Sequence, residues 1–260
     1  MAAPVAFAVA AHPDDIELMM AGTLLLLGEA GYQLHVMNVA NGCCGSMREN
    51  AERTAARRTE EAKASAKVLN ATFHPPIAND LEIFYEDGLL RKLATVVREV
   101  APTILLLQSP EDYMEDHMNA SRLGVTAAFT RGMANYATTP PVPPITQDVT
   151  VYHCLPWGLR GPLGQRIHAT RYVNIERTLG RKREALACHA SQKEWLDATQ
   201  GIDSYLTAME ETSREIGRMS GRSSVAEGWR LHSHLGLCAS DADPLADALG
   251  ELVHKTADEE

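Results

Sequence analysis

No stretch of this 260-residue chain approaches the ~20 consecutive apolar residues needed to cross a bilayer. The opening Met1-Ala2-Ala3-Pro4-Val5 lacks the basic start of a secretory leader, so a cytoplasmic chain without a membrane span is expected. The apolar run Met19–Leu27 is too short to span and reads as a core helix under a sheet. A disulfide framework is also missing: there are five cysteines, an odd number, with no Cys-x-x-Cys, which fits a reducing compartment. Cys43 and Cys44 are neighbours; they could act as soft ligands, but the absence of partner cysteines makes loop filler the first reading. Positive charge is scarce, with a formal net charge of -10, and Arg53, Arg57 and Arg58 stand among glutamates on an expected helix face. Nucleic acid is therefore excluded as the main partner, since phosphate contacts need clustered Lys and Arg. There is no Walker A loop, and Gly217-Arg218-Met219-Ser220-Gly221 is not the Gly-x-Ser-x-Gly elbow of a serine hydrolase. No internal repeat is visible.

What is present is an alternation of strand and helix signals. Strands are expected near Val5–Ala10, Gln33–Ala40, Thr103–Leu107 and Val149–Cys154, with a weak one at Thr72–His74. Helices are expected over Ile16–Glu29, Arg48–Leu69, Leu89–Val100 and His117–Met133. The third carries a one-face stripe of Leu89, Leu90, Leu93, Val96, Val97 and Val100. Further helices are expected over Thr178–Cys188 and Lys193–Ile216, the latter with Trp195, Ile202, Leu206 and Met209 near helical spacing. The pattern predicts an α/β fold, a Rossmann-like, mostly parallel sheet with helices on both faces. Residues 1–240 are read as one domain and 241–260 as an acidic tail, with a short amphipathic helix and then fraying. The polyproline-like Thr138–Pro144 is read as a connector into the same sheet.

The chemistry concentrates behind the first strand, in Ala11-His12-Pro13-Asp14-Asp15-Ile16-Glu17. A histidine and two adjacent carboxylates at the C-terminal edge of a parallel strand sit where such sheets bind ligands. Adjacent aspartates point apart, so one can ligate a cation while the other faces a water beside it. Zinc catalysis needs this division between ligands and base. Taken alone, His-x-Asp-Asp is as often a solvated turn and helix cap. The balance shifts with a second strand-to-helix junction, Gln108–His117, whose His117 can complete an N/N/O set with His12 and Asp15.

At these residues the chain resembles the PIG-L/LmbE-like zinc-dependent N-deacetylases, which act on N-acetylglucosamine-type amides. The family's AHPDD-x-E stands as Ala11–Glu17. Its Gly-rich loop after the second strand is similar to Asn41-Gly42-Cys43-Cys44-Gly45, and its R-x-x-E-A helix to Arg58–Ala62 running to Leu69-Asn70. A later K-x-x-x-L-x-x-H-x-S-Q resembles Lys182–Gln192, and Ala226-Glu227-Gly228-Trp229 matches the family's Ala-Glu-x-aromatic. The resemblance implies one zinc ion per chain on His12, Asp15 and His117, with Asp14 as the base and Arg58 as a substrate contact. It departs at Met114, where the family carries the first His of His-x-Asp-His. A thioether has no donor for an oxyanion or leaving amine. His153, in the loop-facing end of Tyr152–Arg160, is the expected replacement, with Tyr113 as the second choice. The expected function is removal of an N-acyl group, foremost N-acetyl, from an amino-sugar-type small molecule by a homo-oligomer. The alternatives are zinc-dependent hydration of an unsaturated small acid, by the same site in some relatives, and metal-dependent ligand binding without catalysis. Retention of both Asp14 and Asp15 weighs against the last, since binding needs no base. His35 is expected to be a satisfied core histidine, His189 structural or at the pocket rim, and His232 and His234 structural or substrate-facing.

Overall fold

A computed structural model describes residues 3–193 and 205–256. Its centre is an eight-stranded sheet. The strands are β1 (Val5–Ala10), β2 (Gln33–Asn38), β3 (Thr72–His74), β4 (Ile104–Leu107), β5 (Thr150–Cys154), β6 (Arg171–Asn174), β7 (Ala226–Leu231) and β8 (Val253–Lys255). The helices are α1 (Asp15–Met19), α2 (Ala21–Glu29), α3 (Ala51–Leu69), α4 (Asp87–Val100), α5 (Glu115–Phe129), α6 (Leu179–Ala187), α7 (Tyr205–Ser220) and α8 (Pro244–Leu249).

The strand order is β3-β2-β1-β4-β5-β7-β6-β8. From β3 to β5 every pairing is parallel; β7, β6 and β8 join antiparallel. β1 is buried on both faces because its neighbours are covered by helices on both sides. Ala6, Ala8 and Ala10 face one core with Leu24, Leu26 and Ile216, whereas Phe7 and Val9 face the other with Leu93, Val97 and Leu123. The chain leaves β1 for β2 on one side and later returns to β4 on the other. That reversal opens a crevice at the C-terminal ends of β1 and β4, the ordinary ligand position in such sheets. The two loops are tied across it by Gln108 Oε1, which accepts from Ala11 N at 2.7 Å.

Several expected boundaries shift. The helix expected over Ile16–Glu29 is broken at Met20, whose φ of -131° is not helical. α3 begins at Ala51, capped by Asn50 Oδ1 accepting from Arg53 N, rather than at Arg48. α5 spans Glu115–Phe129, and a 3-10 turn follows. Of the helix expected over Lys193–Ile216, Trp195 and Ile202 lie outside the described residues; Tyr205–Ser220 is helical. The segment 241–256 holds the short helix expected there, α8, and then a paired strand where fraying was expected. Tyr152 Oη donates to Asp243 at 2.8 Å, Leu245 is fully buried, and β8 pairs with β6. No helix among the described residues is long and apolar enough to cross a membrane.

Candidate metal centre

Asp14 has φ 106°, a left-handed backbone that costs an Asp roughly 1–3 kcal/mol. It does not cap α1 with its side chain. The turn instead sends the adjacent carboxylates in different directions. Asp15 Oδ2 accepts from His12 N at 2.7 Å and lies 3.6 Å from His12 Nδ1, while its Oδ1 lies 3.5 Å from His117 Nε2. Asp14 Oδ2 accepts from Tyr205 Oη at 2.7 Å and sits 3.5 Å from Arg58 Nη2.

His12, Asp15 and His117 each offer a ligand atom, and these atoms lie within 4.8 Å of one another. All three side chains are buried. The remaining ring nitrogen of each histidine is held by a carboxylate. His12 Nε2 donates to Asp116 Oδ2 at 2.8 Å and His117 Nδ1 to Asp112 Oδ1 at 3.0 Å. In the neutral imidazoles that a metal ion takes, those bonds would leave the lone pairs of His12 Nδ1 and His117 Nε2 on the side of Asp15. Carboxylate-backed imidazoles converging on a carboxylate are the donor set and the support that zinc takes. The residues therefore fit the ion.

Electrostatics follow from this enclosure. Burial opposes charge on His12, yet the hydrogen bonds to Asp116 and Asp15 and the charges of Asp15 and Asp80 push it up to about 10. Burial likewise opposes charge on Asp15, but His117 and His12 hold it well below the usual carboxylate range. Asp14 is raised to about 6, chiefly by burial, against the pull of Arg58.

A cavity of about 260 Å³ opens over these groups. His12, Asp14, Asp15, His117, Arg58 and Tyr113 all line it, so six of the residues singled out from sequence meet there. Arg58 is not the surface residue that its helix suggested. It is buried, and its Nη2 and Nη1 donate to Pro13 O at 2.6 Å and Gly42 O at 3.2 Å. The Gly-x-x-Gly loop makes room for it: a Cβ on Gly42 would stand 2.6 Å from Arg58 Cδ, and one on Gly45 2.6 Å from Arg58 Nη1. Met114 lines the cavity, as does Tyr113, whose ring centroid is 5.5 Å from that of His117.

His153 is the correction. It does not line the cavity. Its Nδ1 donates to Gln108 O at 2.9 Å, with Ser121 Oγ at 3.1 Å, and its Nε2 lies 3.0 Å from His232 Nδ1. Burial pushes it down to about 4, so it is a neutral histidine inside the β5 wall. Gln192, at the end of the Lys182–Gln192 motif, also lines the cavity, whereas several other residues support the fold. Glu227 accepts from Gly22 N, Thr23 N and Lys182 Nζ at 2.8, 2.7 and 2.7 Å, tying β7 and α6 to the start of α2. His189 is buried 3.4 Å from Glu17 Oε1, which Ser65 Oγ also contacts. His35 is paired, its Nδ1 2.9 Å from His74 Nε2. His234 Nε2 donates to Ala242 O. Sequence reading missed Asp112, Asp116 and Tyr205. The first two carried a signal, being carboxylates flanking a candidate ligand histidine. Tyr205 carried none.

Residues 7–128 match the family model described as PIG-L: GlcNAc-PI de-N-acetylase. A diacetylchitobiose deacetylase of Thermococcus kodakarensis is 30% identical over 131 residues, 48% of this chain and 49% of that protein. A 4-oxalmesaconate hydratase of Pseudomonas putida is 31% identical over 139 residues, 50% of this chain and 54% of that protein. The chain thus spans about half the length of these curated relatives. Two solved structures superpose more fully. The 4-carboxy-2-hydroxymuconate hydratase of Pseudomonas putida KT2440 is 25% identical with a TM-score of 0.69, covering 88% of this chain and 95% of that one. The N,N'-diacetylchitobiose deacetylase of Pyrococcus horikoshii is 19% identical with a TM-score of 0.74, covering 90% and 85%. Residues 7–128 thus resemble a PIG-L domain, and the chain shares the fold of these solved structures.

Proposed function

We propose that this chain is a zinc-dependent amide hydrolase that removes an N-acyl group, foremost N-acetyl, from an amino-sugar-type small molecule. The observation that carries the reading against hydration of an unsaturated acid is the charge of the cavity. Among the described residues, Arg58 is the only Lys or Arg that lines it, and its guanidinium is committed to Pro13 O, Gly42 O, Asp14 and Asp80. Residues 194–204 contain no Lys or Arg. With Asp15 taken up as a zinc ligand, a substrate with several carboxylates would still meet Asp14 and Asp80 with no uncommitted Lys or Arg among the described residues. An uncharged acyl amide meets no such repulsion.

A zinc ion on His12, Asp15 and His117 would supply Lewis acidity toward the acyl carbonyl and bring the pKa of water to about 7. Asp14, beside the ligand set but outside it, takes the proton of the attacking water and returns it to the departing amine. Tyr205 holds Asp14 in place through its 2.7 Å hydrogen bond. Tyr113 supplies the donor that Met114 lacks, toward the oxygen that becomes negative at the tetrahedral stage. Hydration stays as the second reading because of the hydratase relative at 31% identity and the missing donor at Met114.

A panel of N-acetylated mono- and disaccharides, read by released acetate, tests the assignment beside unsaturated hydroxy-dicarboxylates, read by loss of their conjugated absorbance. Acetate release abolished in Asp14→Asn is expected. Water addition to the unsaturated acids with no acetate from any amide would replace this reading with the second.

A further inference from the structure

The proposed reaction leaves two thiols unused beside the cavity. Cys43 and Cys44 are both free, their Sγ atoms lie 3.9 Å apart, and Cys44 lines the cavity. The loop that presents them is pinned on Asp80, whose Oδ1 accepts from Gly42 N at 2.6 Å and Oδ2 from Cys44 N at 2.9 Å. Each of those oxygens keeps a second lone pair. The ligand atoms of Cys43, Cys44 and Asp80 all lie within 4.8 Å of one another.

The sulfur separation is informative. Tetrahedral coordination with metal–sulfur bonds of about 2.3 Å places two thiolates about 3.8 Å apart. A disulfide needs about 2.05 Å. The 3.9 Å separation matches chelation of one ion and is not that of a disulfide. Its third donor is a buried carboxylate that the loop already organises. Two sulfurs and an oxygen also differ in kind from the two imidazoles and a carboxylate of His12, Asp15 and His117, with which this set shares no residue.

We propose that Cys43, Cys44 and Asp80 form a second metal site at the wall of the cavity, selective for a thiophilic divalent cation such as Zn2+ or Cd2+. Binding converts two S–H groups to thiolates; two protons pass to solvent, and no oxidant is involved. Soft ligands favour such ions over Mg2+ or Ca2+. The site goes beyond the proposed reaction and stands whether that reaction is deacylation or hydration.

Cadmium titration of the full chain tests it through the ultraviolet cadmium–thiolate absorption. Imidazole and carboxylate ligands do not produce that band, so the readout is blind to the first site. The band's amplitude is expected to correspond to one two-thiolate ion per chain, and the wild type to release about two protons more in weak buffer than Cys44→Ser does, the first site contributing equally to both. Excess Mg2+ should leave it unchanged. Cys44→Ser, at an exposed position, should abolish it, and Asp80→Asn should weaken binding at least tenfold. The proposal is overturned by absence of the band, by its survival in Cys44→Ser, or by saturation at one ion per two chains, which would mean bridging between molecules.

Discussion

Replacing Asp112 by Asn probes the metal centre from one step behind it. Asp112 is buried and touches no proposed substrate; its Oδ1 accepts from His117 Nδ1 at 3.0 Å and from Met114 N at 3.2 Å. Asparagine keeps the shape but removes the charge that orients His117 and raises its basicity. Loss of such a carboxylate behind a ligand histidine costs about 10–100-fold in metal affinity, which is about 1.4–2.7 kcal/mol. The measurement is zinc affinity by competition with a chromophoric chelator, run as a cycle with His117→Ala. In the wild-type background Asp112→Asn should weaken zinc within that range. In the His117→Ala background, where its only route to the metal is gone, it should change affinity by less than about twofold. Equal effects in both backgrounds would refute the assignment of His117 as the ligand that Asp112 supports.

The remaining expectations bear on neighbouring groups. Asp14→Asn should retain zinc and lose about 10²–10⁴-fold in turnover, measured as acetate release beside metal content; near-normal turnover would mean another group takes the proton. Tyr113→Phe should cost about 10²-fold in kcat with little change in KM, and adding Met114→His to it should restore part of the loss; unchanged kcat in Tyr113→Phe would remove the oxyanion role. Gly45→Ala places a Cβ 2.6 Å from Arg58 Nη1 and 2.9 Å from Gln192 Oε1, so denaturant unfolding should show a loss of about 1–3 kcal/mol. At β2 and β3, burial holds His74 down at about 4 and lowers His35 as well. The unfolded chain then binds protons that the folded chain resists, so stability is whole above about pH 6.5 and falls toward pH 4. Discounted for the partial exposure of the pair, the loss is about 1–2 kcal/mol, and His74→Gln should flatten the pH dependence of denaturant midpoints.

The parallel half of the sheet was legible because its signals are local. Val5–Ala10 is a continuous apolar run after a proline, and Leu89–Val100 keeps its apolar residues on one face until Ala101 adopts a left-handed backbone before Pro102. The antiparallel half was not. β6 and β7 carry Arg171 and Glu227 inside the fold, and those charges read as surface until their partners are known. Arg171 Nε donates to Asp243 at 2.9 Å, and Glu227 meets Lys182. Both pairings join residues far apart in sequence, the kind of contact that overrides local propensity. The same contacts explain why 241–256, read as a tail, closes the sheet instead: Asp243 gathers Tyr152, Arg171 and Lys255.

The site divides along a similar line. The candidate ligands His12, Asp15 and His117 and the candidate base Asp14 could be singled out because they sit on strand-to-helix turns, and the type of residue such a site needs there is set by chemistry. What aims them is not local. His12 is oriented by Asp116 from the other junction, 104 residues away, and Asp14 by Tyr205, 191 residues away. Asp116 also accepts from Leu81 N at 2.7 Å, so the loop after β3 is anchored by the carboxylate that supports the metal ligand. Arg58 shows the same dependence. On its helix it is one arginine among several facing glutamates, and only two glycines in a loop after β2 make the space that buries it against Asp14 and Asp80. That burial commits Arg58, the only Lys or Arg lining the cavity among the described residues, to Asp14 and Asp80, so the charge of the substrate, rather than the identity of the candidate ligands, separates the two proposed readings.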